Sequence, residues 1–147
     1  MQTTQGKQLA YGMTSDGVMV QVQRGKLADA EWDGMVEAIR RDAAQLRAII
    51  VVATGSEGPT ATQRKQVAEV AATYPHSFRG VAVLTDSIIV RGALTAIAWL
   101  IPGRFPSRAF SLDDLDGALR FLGLNDLEAA KVRALISKLD ERRQAAM

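Results

Sequence analysis

The sequence predicts an α/β domain built on one mixed, mainly parallel sheet, and three observations carry that prediction. Ala48 to Ala53 and Gly80 to Leu84 are short runs rich in Ile, Val and Ala. Such runs read as strands buried on both faces, which is how parallel strands sit. Each is followed by a stretch with apolar residues at helical spacing, and strand-helix alternation implies right-handed crossovers. The dipeptide Asp16-Gly17 separates two earlier strand-like runs and marks an opening antiparallel hairpin. The expected sheet has about five strands. At 147 residues the chain has the length of one domain and is long enough to bury a core without staples.

The elements follow in order. Met1 to Lys7 is polar and reads as a flexible tail. Gln8 to Met13 is the first expected strand, and Thr14 to Gly17 the turn. Val18, Val20 and Val22 then alternate with Met19, Gln21 and Gln23, the period of a half-buried strand. Asp29 is placed to cap a helix whose apolar face carries Trp32, Met35, Val36, Ile39, Ala43 and Leu46. After the strand at Ala48 to Ala53 comes a polar loop, Thr54 to Thr62. Thr60 and Gln63 have capping-box spacing, and Pro75 stops the helix they open. After the Gly80 to Leu84 strand, Asp86 or Ser87 caps a helix from Ile88 to Leu100, broken by Pro102-Gly103. Arg108 to Phe110 is a short last strand. Ser111 is expected to cap a helix carrying Leu112, Leu115, Leu119 and Leu122. Asn125 and Glu128 form a second capping-box pair, opening a helix with Val132, Leu135, Ile136 and Leu139 on one face. The expected domain covers 8–124, with an appended helix at 125–143 and flexible tails at 1–7 and 144–147.

Composition narrows the function. Charged residues make up 23% and the net charge is only +2, with both signs interleaved along the chain. That balance argues against nucleic-acid binding, which needs a basic stripe. There is no cysteine, so disulfides, thiolate catalysis and cysteine-built zinc sites are excluded. Its absence suits a reducing, cytoplasmic setting. No secretory leader is expected from the polar start. The longest apolar run, Ile88 to Ile101, contains Arg91 and is too short to span a membrane. His76 is the single histidine and has no partner pattern beside it. Asp113, Asp114 and Asp116 read as helix-start charges rather than metal ligands. Neither a phosphate-binding loop nor a nucleophile elbow occurs. No cofactor, metal or catalytic residue is expected.

The second half carries a resemblance. Arg79-Gly80-Val81-Ala82-Val83-Leu84-Thr85-Asp86-Ser87, followed by Val90-Arg91-Gly92, is similar to a strand, Asp-Ser turn and Arg-containing helix of the SpoIIAA-like family within the STAS superfamily. Arg108 to Ser111 with Leu112 to Leu122 resembles that family's last strand and helix. The superfamily has also been compared with the lipid-binding Sec14-type domain. The resemblance implies a non-catalytic regulatory or protein-interaction domain, or a carrier of a small lipophilic ligand. Anti-sigma-factor antagonists of the superfamily bear a phosphorylatable serine after the central strand. Here that stretch is Ala53-Thr54-Gly55-Ser56-Glu57-Gly58, which lacks the family's aspartate and leaves Ser56 as the possible phosphoacceptor.

The expected site lies at the turn Thr85-Asp86-Ser87 and the helix after it. The end of a parallel strand entering a helix is where open α/β sheets bind ligands. Asp86, Ser87 and Arg91 are its polar candidates, with Arg91 expected to pair with Asp86. Ala93, Ile97 and Leu100 are its apolar candidates. The helix is apolar around most of its circumference, and such a helix must be covered on all sides. Three covers are conceivable: the appended C-terminal helix, a second copy of the chain, or a lipid. The expected function is therefore an interaction domain that self-associates or binds a protein partner through apolar helix surface. The alternative is a carrier or sensor of a small lipophilic ligand beside Ile88 to Ile101.

Overall fold

The computed structural model describes residues 3–5, 8–101, 103 and 105–146, with side chains described for 8–101, 103 and 105–141. The elements run β1 (Thr3–Gln5), β2 (Leu9–Met13), β3 (Val18–Gly25), α1 (Asp29–Arg41), β4 (Ala48–Ser56) and α2 (Ala61–Thr73). A 3₁₀ turn at Pro75–Phe78 leads to β5 (Val81–Thr85), α3 (Ile88–Leu100), β6 (Ser107–Phe110), α4 (Leu115–Phe121) and α5 (Asp126–Ala146). All strands join one sheet whose spatial order is the chain order, β1 to β6. β1–β2 and β2–β3 are antiparallel, and the three later pairings are parallel.

The mixed sheet and its opening hairpin agree with the expectation, and a sixth strand adds to it. Thr3–Gln5 lies inside the stretch read as a tail, yet it pairs with Ala10 to Gly12. The segment has no apolar alternation to announce it. The free edge of β2 recruits it, because unpaired strand N–H and C=O groups need partners. At the other end, α5 continues past position 143 to Ala146.

The sheet is covered on both faces, giving three layers. One face of β3, β4 and β5 presents Met19, Ile49, Val51, Val81 and Val83 to α1, α2 and α3. The alternate residues Val18, Val20, Ile50, Ala82 and Leu84 pack with Ala118 and Leu119 of α4 and Val132, Leu135 and Leu139 of α5. Period-two alternation sends the two sets to opposite sides. α5 lies along β2 and β3 and buries Val132 and Leu139 completely. Arg47 ties the helix to the hairpin: its Nε donates to the Asp16 carbonyl at 2.8 Å, and its guanidinium pairs with Glu128.

Local signals decide most helix starts. Both capping boxes form, Thr60 with Gln63 and Asn125 with Glu128. Two expected caps do not. Asp29 is the first residue of α1, the capping position belongs to Ala28, and the Asp29 carboxylate accepts instead from Gln63 Nε2 at 3.0 Å. A tertiary partner has taken the side chain that local pattern assigned to the helix end. Ser111 also yields its role: the backbone turns through 111–114, and Asp114 caps α4 by accepting from the Gly117 N–H at 3.0 Å. Gly17 closes the hairpin turn at φ 83°, where a Cβ would stand 2.1 Å from the Gln45 carbonyl oxygen. Only glycine fits there.

Candidate functional site

The turn between β5 and α3 is built to hold itself. Ser87 caps α3, its Oγ accepting from the Val90 N–H at 3.2 Å. Thr85 Oγ1 accepts from the Ser87 N–H at 3.0 Å. Asp86 Oδ1 accepts from the Gly55 N–H at 3.3 Å, joining the ends of β4 and β5. The expected pair between Asp86 and Arg91 does not form: Arg91 is exposed, and no described carboxylate pairs with it. All three turn side chains thus serve the fold. The cap stabilises α3 by about 1 kcal/mol.

α3 divides the expected apolar site residues between two environments. Ala93 and Ile97 face inward with Val90 and are buried. Leu100 faces out at 54% exposure, beside Ile88 at 87%, Ile89 at 68% and Trp99 at 83%. α5 does not cover this outer surface, because it lies across the opposite face of the sheet. The first of the three conceivable covers is therefore eliminated. A helix in a two-layer fold would have had α5 within reach; in three layers the sheet stands between them.

Beneath the inner face of α3 is a cavity of about 70 Å³. Ile49, Val51, Val81 and Val83 of the sheet form its floor. Trp32, Met35 and Ile39 of α1 close one side, and Val90, Ala93 and Ile97 of α3 the other. The half-buried Val67, Leu94 and Phe105 lie toward solvent. Among the described residues no ionisable side chain lines it. Its polar side chains come from β3. Gln21 and Gln23 line it, each 4% exposed, and Gln23 Nε2 donates to Gln21 Oε1 at 3.0 Å. Among the described residues Gln21 Nε2 donates to the weak acceptor Met19 Sδ, at 3.5 Å. Trp32 is 3% exposed, and its indole Nε1 is buried with no hydrogen-bond partner among the described residues. Leaving such a donor unpaired costs about 1–3 kcal/mol. An apolar cavity with a few buried polar groups is the usual form of a small-molecule site.

The architecture matches a solved structure. It is the crystal structure of an uncharacterized protein from the DUF3478 family, described as having a SpoIIAA-like fold, from Shewanella loihica PV-4. The match has a TM-score of 0.55 and 17% sequence identity, and it covers 78% of this chain and 91% of the other. The fold is SpoIIAA-like. This is the fold to which the strand-turn-helix motifs point. No family model matches the chain, and no curated protein matches it.

Within this SpoIIAA-like fold, Ser56 ends β4 at 6% exposure, and its hydroxyl accepts from the Gly58 N–H at 3.1 Å. Phosphorylation there requires the loop after β4 to open. The cavity's polar residues were missed by sequence reasoning for a definite reason. Gln21 and Gln23 alternate with valines, the pattern of a strand with one wet face. β3 instead lies inside a sheet covered on both sides, so its polar alternates are buried. Met19 in the same register as the two glutamines was the available signal, since a wet face rarely carries a methionine between valines.

Proposed function

We propose that this chain is a non-catalytic STAS-like binding domain that takes a small lipophilic molecule in the cavity between α1, α3 and the sheet. The observation that carries the reading is an apolar cavity under α3, lined among the described residues by no ionisable side chain. Ala93 and Ile97 touch the ligand in this reading; Asp86 and Ser87 hold the helix start that positions them. Native mass spectrometry after gentle purification tests it, together with thermal shifts on added lipophiles. The absence of both a copurified small molecule and any thermal shift would sink the proposal.

A second reading is favoured by the four large apolar residues exposed on the outer side of α3. An apolar patch of that kind marks an interaction surface. Here α3 packs against a protein partner or a second copy of the chain, with Leu100 and Arg91 at the contact. The two readings share one helix, so ligand beneath α3 and partner above it give a regulatory domain its input and output. Sedimentation showing a strict monomer at high concentration would remove self-association. Cytoplasmic residence belongs to the same proposal and is supported by the absence of cysteine. Among the described residues no helix is long and apolar enough to cross a membrane.

A further inference from the structure

We propose that the outer face of α3 is a dimer interface on which a second copy of this chain packs antiparallel about a two-fold axis. This rests on the reading of that face as a contact surface, and it names the occupant. Area is the first argument. Ile88, Ile89, Trp99 and Leu100 are more than half exposed on α3. Together they present on the order of 500 Å² of apolar surface per copy, so two copies bring together roughly the 1,000 Å² at which a specific interface begins.

The order of residues along the face selects a second copy. At about 100° per residue, Ile88, Gly92, Thr95 and Trp99 form the line that points away from the sheet. It lies opposite the buried Val90, Ala93 and Ile97. The line reads large, small, small, large, and is symmetric about a point between Ala93 and Leu94. A two-fold axis at that point sets Gly92 by the other copy's Thr95, and Ile88 toward its Trp99. Small residues at the crossing let the two backbones approach, and the large ends fill the space where the helices diverge. A face that complements itself in this way is what an isologous contact requires.

Charge on the neighbouring helix fits the same axis. α2 packs beside α3, and Val67 and Leu94 line one cavity, so an axis through the middle of α3 crosses α2 near Val67. Lys65 and Glu69 stand two residues to either side of that level. Both are exposed, and neither is in an ion pair among the described residues. The axis sets Lys65 of each copy against Glu69 of the other, at the rim of the apolar contact. Opposite charges at a rim fix register, and a parallel packing would oppose like charges instead.

Sedimentation velocity of the full chain over a range of concentrations tests the arrangement, and a reversible dimer is expected. Trp99→Ser should weaken it about tenfold or more, as loss of an interface tryptophan does. Lys65→Glu should weaken it as well. Combining Lys65→Glu with Glu69→Lys should restore it, because the swap rebuilds both rim pairs. The chain has no cysteine, so Thr95→Cys places a single thiol beside the axis. Mild oxidation should join two such chains, while Ser137→Cys, exposed on α5, should stay unlinked. A dimer that links through Thr95→Cys but is not rescued by the charge swap would overturn the antiparallel arrangement and leave α3 as the contact face. A strict monomer would overturn the second copy as occupant and leave the face to a different protein. A dimer that neither links through Thr95→Cys nor responds to Trp99→Ser would overturn both the inference and the contact-face reading.

Discussion

The two faces of the sheet bear openings of different chemistry. On the α4–α5 side, Val132, Leu139 and Ala118 are 0% exposed, and their partners Val18, Val20 and Ile50 are equally sealed. On the α1–α3 side the apolar residues are also buried, and the opening under α3 is lined almost wholly by apolar groups with Gln21 and Gln23, whereas the opening between β3, β4 and α5 is bordered by Arg24, Thr54 and Asp140. Both faces hang on the same strands and differ in the alternate residues those strands present and in the helices that cover them. What sets the α1–α3 side apart is the apolar lining of its opening, which suits the lipophilic ligand proposed there. Sequences satisfy local and global rules together except where function opposes them.

The largest expected effect tests the α4–α5 side. Leu139→Ala should lower stability by about 3 kcal/mol in chemical denaturation, because a rigid surround cannot collapse onto the space left. Leu94→Ala, half-buried at the cavity, should cost about 1 kcal/mol or less. Similar losses at both positions would erase the distinction between the faces. Overpacking gives the next contrast. Ala118→Met should destabilise by about 2 kcal/mol, since no room exists for it. Ala93→Met points into the cavity and should leave stability within about 1 kcal/mol of the parent while abolishing any thermal shift by lipophiles. An Ala93→Met protein that still responds to them would move the ligand elsewhere.

Smaller effects sharpen the assignment of roles around α3. Ser87→Ala should cost about 1 kcal/mol through loss of the cap, with ligand affinity reduced only as far as the helix start loosens. A large loss of affinity at unchanged stability would return the turn to the binding site proper. Trp99→Ser should change stability by under about 0.5 kcal/mol, as exposed sites do. If the outer face of α3 is a contact surface, the same change should reduce self-association in sedimentation. No change there would leave the inner face as the sole site on the helix.

Much of the fold was legible because it is encoded locally. The Asp16-Gly17 turn, the Thr60–Gln63 and Asn125–Glu128 boxes and the Ile88 to Leu100 helix all stand where spacing and turn chemistry put them. The failures occur where a residue had more than one possible partner. Asp29 could cap a helix or accept from Gln63, and the distant amide won. Ser111, Asp113 and Asp114 all had capping chemistry, and the turn at 111–114 left Asp114 in place.

The helix from Ile88 to Leu100 draws the line between the two kinds of information. Its limits, its serine cap and its excess of apolar surface follow from the sequence alone, because they depend on residues no more than a few positions apart. Which side of it is buried, and what lies under that side, depends on layer order. Placing α5 across β2 and β3 leaves the outer face of α3 bare. Covering β3 from both sides turns Gln21 and Gln23 from a wet edge into a cavity wall. Burial is a property of the assembled layers, and no periodicity within a strand records whether a second layer will arrive.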